Sequence, residues 1–375
     1  MRILHLIHSE GVYGAERILL YLAREQQLRG HSPVIGSMRD PHTPQTDFEA
    51  LAASMRLPVV PIRIAPRPTI PVVRHLLGVV RETGAEVVHS HGYKGNILLG
   101  PLPRRLRGPM LSTLHGWVTA RGVSALRLYE LLDRLALRRI DQVVVVTRAM
   151  LALPALRALA PQRRRLIENG IPDLAARLED LAARGVPPLP PALVAAVQDR
   201  PTLLAIGRLS PEKGFELLIQ AFAQARASTG SRYRLVVVGE GPERDNLTRC
   251  ISALGLQDDV LLAGFLEGPD RLLAQAVGFV MSSYTEGMPL VLLEALQWGA
   301  PVVATRVGAI PEILEHSRAG AVMVPPHDLP ALRQALGQLM AAPGKRQAIQ
   351  PEADGKRYSS GRMAEEYLSA YQAIT

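Results

Sequence analysis

The sequence is short of cysteine, of aromatic residues and of long apolar runs, and each shortage excludes a class of protein. Cys250 is the lone cysteine in 375 residues, so a scaffold built on intrachain disulfides is excluded. Aromatic residues make up 4%, too few for the base-stacking platforms of single-strand binders. No zinc-finger, basic-zipper or RNA-recognition signature is present, so nucleic acid is not an expected partner. No apolar run approaches the roughly 18 residues that a membrane-spanning helix needs. The apolar stretch Met1 to His8 is too short for a secretory leader, and the expectation is a cytoplasmic protein. Glycine (31) and proline (30) are plentiful but follow no period, which excludes collagen-like and low-complexity chains. With 47% hydrophobic and 21% charged residues the chain can bury sizeable cores. At about 150 residues per domain it holds two or three.

Charge is uneven. Residues 1–180 hold 25 Lys and Arg against 15 Asp and Glu, or +10, and the remainder comes to −1 of the total +9. An excess on one half suggests an anionic surface met by that half, here a membrane, and a protein peripheral on its inner face. Of the 43 basic residues 39 are Arg, which genome composition alone could produce.

The first half alternates short apolar strands with helices. Strands are expected at 2–8, 32–37, 86–90, 110–114 and 142–147, with helical spacing over 15–29 and 124–139. Residues 170–200, with the run Pro187-Pro188-Leu189-Pro190-Pro191, read as an interdomain connection. The alternation restarts at 202–206, 234–239, 260–263, 278–282, 301–305 and 321–324. The tail 361–373 has one apolar helical face and is expected to dock. The fold class is therefore α/β, with two doubly wound, Rossmann-like domains facing a deep cleft. Expected boundaries are 1–180, 181–355 and a tail helix in 356–375.

Two stretches carry the chemistry. In the first, a strand ends near Ser283, a turn carries Glu286 and Gly287, and Met288, Pro289 and Leu290 open a helix containing Glu294. Free N–H groups and the dipole at such a helix start favour phosphate, and glycine allows close approach. Glu286 precedes the helix, so the two acids share no helical face as a metal pair would. In the second, a strand runs into Gly207, and Arg208 and Lys213 sit five residues apart before Gly214. The order Lys-Gly without a following Ser or Thr is not a P-loop. Arg can fork phosphate oxygens while Lys supplies a mobile charge, although both could equally be solvated loop charges. In the first half Gly14 opens a helix, and His89, His91 and His115 lie at strand ends. His89 and His91 would share a strand face, but no third ligand stands at a recognisable spacing, so no metal is expected.

Taken together these stretches resemble the large retaining glycosyltransferase family numbered four, whose fold is the two-domain GT-B. Glu286 and Glu294 match its E-x7-E motif, and Gly207 to Gly214 match its G-R-L-x-x-x-K-G loop. Val238-Gly-Glu-Gly-Pro242, Gly264-Phe265, Asn169-Gly170, Pro301–Glu312, His89-Ser-His91, Leu114-His115-Gly116 and Gly14-Ala-Glu16 follow in the family's order. The resemblance implies that Arg208 and Lys213, with Gly207 and the backbone at Gly287, Met288, Pro289 and Leu290, hold a donor diphosphate. It implies that Glu294 accepts hydrogen bonds from the ribose, that Glu286 contacts the donor sugar, and that His115 serves the sugar and acceptor. Gly14 would approach the diphosphate from the first domain, and the tail helix would cross back to that domain. Catalysis would rest on His115, Glu286, Arg208 and Lys213, with no metal and no tightly bound cofactor. The substrates implied are a nucleotide-diphosphate sugar and a glycan or lipid-linked acceptor, in cell-envelope or exopolysaccharide synthesis. Tyr13 stands where the family often has glycine before Gly14, and Ala309 where a second glycine often follows Gly308. Rival readings are a nucleotide-sugar epimerase or hydrolase on the same fold, and a catalytically silent binding subunit.

Overall fold

A computed structural model describes the chain except residues 10, 41, 65–68, 117–124, 316–320 and 342–355. It divides into two units, Met1–Pro172 with Tyr358–Thr375, and Asp173–Arg357. Each is a parallel sheet flanked by helices.

The first sheet has β1 (Arg2–His8), β2 (Ser32–Arg39), β3 (Val59–Arg63), β4 (Val87–Ser90), β5 (Met110–Leu114), β6 (Gln142–Val145) and β7 (Arg164–Leu166), in the order β3-β2-β1-β4-β5-β6-β7. The second has β8 (Thr202–Ile206), β9 (Arg234–Val238), β10 (Val260–Leu262), β11 (Gly278–Met281), β12 (Val302–Thr305) and β13 (Ala321–Val324), in the order β10-β9-β8-β11-β12-β13. The central strands are buried and largely apolar because helices cover both faces, as parallel sheets require, with the polar exceptions His5, His89, Ser90, Ser112 and Thr113 in the first sheet. Strand order reverses between β1 and β4 in one sheet and between β8 and β11 in the other. Loops diverge to opposite faces at such a switch, which opens a crevice beyond the carboxyl ends of the strands.

Three expectations need correction. Residues 170–200 are not a bare connection: they form the helices Leu174–Ala183 and Pro191–Asp199. Asp173 caps the first by accepting from the Ala176 N–H at 2.8 Å. Pro190 and Pro191 sit at the start of the second, where proline fits a helix because the missing N–H would be unpaired anyway. The units part at Pro172/Asp173 rather than at 180, because Arg177 ties the first of these helices to Asp270 and Glu294. Two strands have no counterpart in the sequence pattern: β3 contains Pro61 and lies at a sheet edge, and β7 has only three residues. The expected helix over 124–139 is observed as Ala125–Leu137, Ser124 lying outside the described residues.

The tail helix Ser360–Gln372 belongs to the first unit. The chain enters it beside Ile171, whose N–H donates to the Tyr358 carbonyl at 2.9 Å while the Ser360 N–H donates to the Ile171 carbonyl at 2.9 Å. A Cβ on Gly170 would lie 2.1 Å from the Ser359 carbonyl oxygen, which explains the glycine in Asn169-Gly170. The helix buries Met363, Tyr367 and Tyr371 in the first unit.

Candidate functional site

In the second unit the two motif stretches leave the carboxyl ends of β8 and β11, the neighbouring strands at the switch point. Gly207 follows β8, and its N–H donates to the Val238 carbonyl at 2.9 Å. The loop 239–241 runs close beneath it: a Cβ on Gly239 (φ +147°) would lie 1.9 Å from the Gly207 oxygen, and one on Gly241 (φ +157°) 2.3 Å from the Leu209 oxygen. Only glycine meets both demands, conformation and clearance. The turn then carries Lys213 back toward β11. The Ser282 hydroxyl donates to the Lys213 carbonyl at 2.9 Å, and the Tyr284 N–H donates to the Glu212 carbonyl at 2.7 Å.

This lacing brings the Lys213 Nζ to 2.6 Å from the Glu286 Oε1, which also accepts from the Ser283 hydroxyl at 2.6 Å. Lys213 is partly exposed and Glu286 nearly buried. Arg208 is exposed on the same loop. Burial would raise the Glu212 carboxyl, yet hydrogen bonds from the Ser210 hydroxyl and its own backbone N–H, with smaller help from the Lys213 and Arg208 charges, bring it below its ordinary value. Behind Glu286, the Ala309 N–H donates to the Gly287 carbonyl at 2.9 Å, and Gly308 packs against the same turn.

Met288, Pro289 and Leu290 are buried, and the helix Leu290–Gln297 begins directly after Pro289. Pro289 has no N–H, so among the four turn residues only Gly287, Met288 and Leu290 can donate to an anion. Glu294 is fully buried, with its Oε1 3.4 Å from a nitrogen of Arg177. Arg177 also lies 3.1 Å from Asp270, which in turn accepts from the Trp298 indole at 3.2 Å. Sequence reasoning misses Arg177 because proline content makes its helix read as a linker. The available signal is a lone arginine on the apolar side of an amphipathic stretch.

In the first unit β1 and β4 pair so that His5 stands opposite His89, 84 positions apart in the chain. His5, His89 and His91 have ring nitrogens within 4.8 Å of one another, close enough for a metal. Spacing alone does not find His5, since strand register brings it there. Both nitrogens of each of these rings have hydrogen-bond partners within the protein. The His5 nitrogens face Gln26 and His91, those of His89 face Tyr371 and Thr113, and those of His91 face His5 and His115. Burial pushes His5 and His115 down to about 4, and burial with neighbouring rings holds His89 and His91 well below their ordinary value. Gly14 begins the first helix, with nothing within 4 Å of where a Cβ would stand, and Glu16 accepts from the Tyr13 N–H at 3.1 Å.

Two family models match the chain. Glycosyltransferase family 4 covers residues 12–173, and glycosyl transferases group 1 covers residues 200–342, essentially one model per unit. Both are glycosyltransferase models, and between them they span most of the chain. An alpha-D-kanosaminyltransferase of Streptomyces kanamyceticus is 30% identical over 183 residues, 48% of this chain and 47% of that protein. A GDP-mannose-dependent alpha-(1-6)-phosphatidylinositol monomannoside mannosyltransferase of Mycolicibacterium smegmatis is 33% identical over 160 residues, 40% of this chain and 41% of that one. The matches thus span less than half of these curated relatives. Anabaena Alr3699/HepE, solved with UDP-glucose, superposes over the whole of both chains at a TM-score of 0.80 and 21% identity. At that identity the likeness shows the fold alone.

Proposed function

We propose that this GT-B glycosyltransferase moves a sugar from a nucleotide-diphosphate sugar to a glycan or lipid-linked acceptor with retention of anomeric configuration. The observation that carries the reading is the Lys213–Glu286 pair spanning the β8/β11 switch point, with Arg208 on the same loop. Breaking the bond between the anomeric carbon and the diphosphate builds oxocarbenium character on the sugar and negative charge on the leaving group. Fixed cations and helix-start N–H groups aimed at that charge lower the barrier without reorganising. Lys213 and Arg208 take the diphosphate, and Glu286 accepts from a sugar hydroxyl. Glu294, held by Arg177, accepts from the ribose. Attack by the acceptor oxygen on the same face forms the new bond at the anomeric carbon, and its proton passes to the departing diphosphate oxygen. His115, in the first unit, serves the sugar and acceptor.

The relatives' names support nucleotide-sugar and envelope chemistry: besides the GDP-mannose-dependent enzyme, a lipopolysaccharide core glycosyltransferase, LpsE of Rhizobium meliloti, is 34% identical over 143 residues. We assign the protein to cell-envelope or exopolysaccharide synthesis, working at an anionic membrane surface in the cytoplasm. No helix among the described residues is long and apolar enough to cross a membrane. The test is a thermal-shift panel of UDP, GDP and ADP sugars, followed by NMR of the product formed with acceptor. A raised midpoint with one donor and an axial-to-axial or equatorial-to-equatorial outcome support the reading. Indifference to every activated sugar, or inversion, overturns it.

A further inference from the structure

The histidines of the first unit form one hydrogen-bonded chain, and its polarity follows from a single amide. The Gln26 Oε1 lies 2.8 Å from the His5 Nε2, while the Gln26 Nε2 donates to the Tyr371 hydroxyl at 3.2 Å. An amide oxygen only accepts, so the His5 Nε2 carries the proton and the neutral ring leaves Nδ1 bare. That nitrogen, 3.0 Å from the His91 Nε2, must accept from it. The His91 Nδ1 is then bare in turn, and at 3.0 Å it must accept from the His115 Nε2. What remains is the His115 Nδ1, a shielded lone pair with no hydrogen-bond partner among the described residues. The branch through Tyr371 agrees: its hydroxyl, taking the Gln26 N–H, donates to the His89 Nδ1 at 2.7 Å, and the His89 Nε2 donates to the Thr113 hydroxyl at 2.8 Å.

We propose that Gln26, His5 and His91 are positioning residues that fix His115 in the Nε2–H tautomer, so that its bare Nδ1 accepts a hydrogen bond from a hydroxyl of the sugar substrate. The use made of that lone pair rests on the glycosyl-transfer reading; the tautomers do not. The argument requires neutral rings, and burial keeps all four histidines well below their ordinary value. A buried acceptor without a donor is uncommon in a folded protein and is a natural docking point for one. The alternative occupant of the cluster, a metal on His5, His89 and His91, would have to displace hydrogen bonds from all three rings.

Nitrogen-15 spectra of ring-labelled histidines in the full chain, assigned with His115→Asn and without any sugar present, read the tautomers directly. The expected result is a pyrrole-like Nε2 and a pyridine-like Nδ1 in His5, His89, His91 and His115 alike. Removing the anchor with Gln26→Leu, or freeing the amide to rotate with Tyr371→Phe, should convert His115 to a mixture of tautomers. Tyr371→Phe keeps the buried volume, so at least one variant is expected to fold, and a thermal melt checks it. A protonated Nδ1 in His5, His91 or His115 overturns the proposal, as does a His115 tautomer unmoved in both folded variants. Zinc added alone should leave the spectra unchanged. Joint shifts of His5, His89 and His91 on zinc would assign the cluster to a metal instead. Because no donor is needed, failure here leaves glycosyl transfer standing, and a protein inactive toward sugars leaves the tautomers to be judged separately.

Discussion

Lys213 and Glu286 lie 73 positions apart and meet through glycine. Gly214 holds φ +63° with a Cβ position 2.3 Å from the Ser282 carbonyl oxygen, so no other residue lets the two loops close on each other. In the proposed role Lys213 and Arg208 supply charge to the leaving diphosphate, so replacing either by Ala should lower kcat by roughly 10²-fold or more. Initial rates at saturating donor check this, and near-normal turnover in both variants would remove the diphosphate clamp. Gly308 makes a sharper test of the turn itself. Its φ is +56°, and a Cβ there would stand 2.2 Å from the Glu286 oxygen and 2.6 Å from that of Gly287. Gly308→Ala should therefore displace the turn, lower the melting midpoint and abolish the donor-induced thermal shift. Gly185→Ala is the control: φ is +67° but nothing lies within 4 Å, so it carries only the left-handed strain of about 1–2 kcal/mol. Equal effects in the two variants would mean that strain, not the clash, is responsible.

Elements were legible where local pattern and tertiary role coincide. The buried central strands β1, β5, β8, β11 and β12 are short, largely apolar runs bounded by turn residues, and the loops after β8 and β11 announce themselves by glycine and charge. What stayed hidden depends on pairing between distant segments: His5 on His89 through the β1/β4 register, and Arg177 on Glu294 through packing of the helix Leu174–Ala183. Between the helices Tyr93–Leu99 and Ala125–Leu137 another such pair appears, Asn96 donating to the Asp133 carboxylate at 2.9 Å. Burial raises Asp133 from 3.8 to about 6, against the lowering effect of that hydrogen bond. A carboxyl raised in the folded state costs stability above about 6 and returns it as pH falls toward 3.8, because the folded chain then holds the extra proton. Asp133→Asn removes the cost and offers an N–H toward the Asn96 Oδ1, which lacks a partner among the described residues. The variant should be more stable by on the order of 2–3 kcal/mol at pH 8, since each pH unit separating the folded and unfolded titrations is worth about 1.4 kcal/mol. The gain should vanish near pH 4, and urea melts of both proteins across this range measure it. The histidines, which lose stability in acid, cancel in the difference; a gain independent of pH would refute the assignment to Asp133.

Charge separates the two units more cleanly than it separates sequence halves. The first unit carries 25 Lys and Arg against 14 Asp and Glu, or +11, and the second 18 against 20, or −2. The helix Ala125–Leu137 in the first unit exposes Leu128, Leu131 and Leu135, each about half accessible and spaced along one helical stripe, with Arg127 and Arg138 beside them. An apolar stripe edged by arginine suits the boundary between headgroups and acyl chains, where basic residues near an anionic leaflet contribute about 1 kcal/mol each. Screening shortens the electrostatic reach to about 10 Å at 0.1 M salt, whereas leucine insertion is insensitive to it. The two contributions are therefore separable by sedimentation with vesicles of phosphatidylglycerol and phosphatidylcholine. The protein should bind the anionic vesicles and be weakened, not released, by added salt. Leu128→Ser combined with Leu131→Ser and Leu135→Ser should leave binding that salt abolishes entirely, because only the charge attraction remains. No sedimentation with anionic vesicles at low salt would dispose of the membrane surface, and with it the reason for placing the basic excess on the first unit.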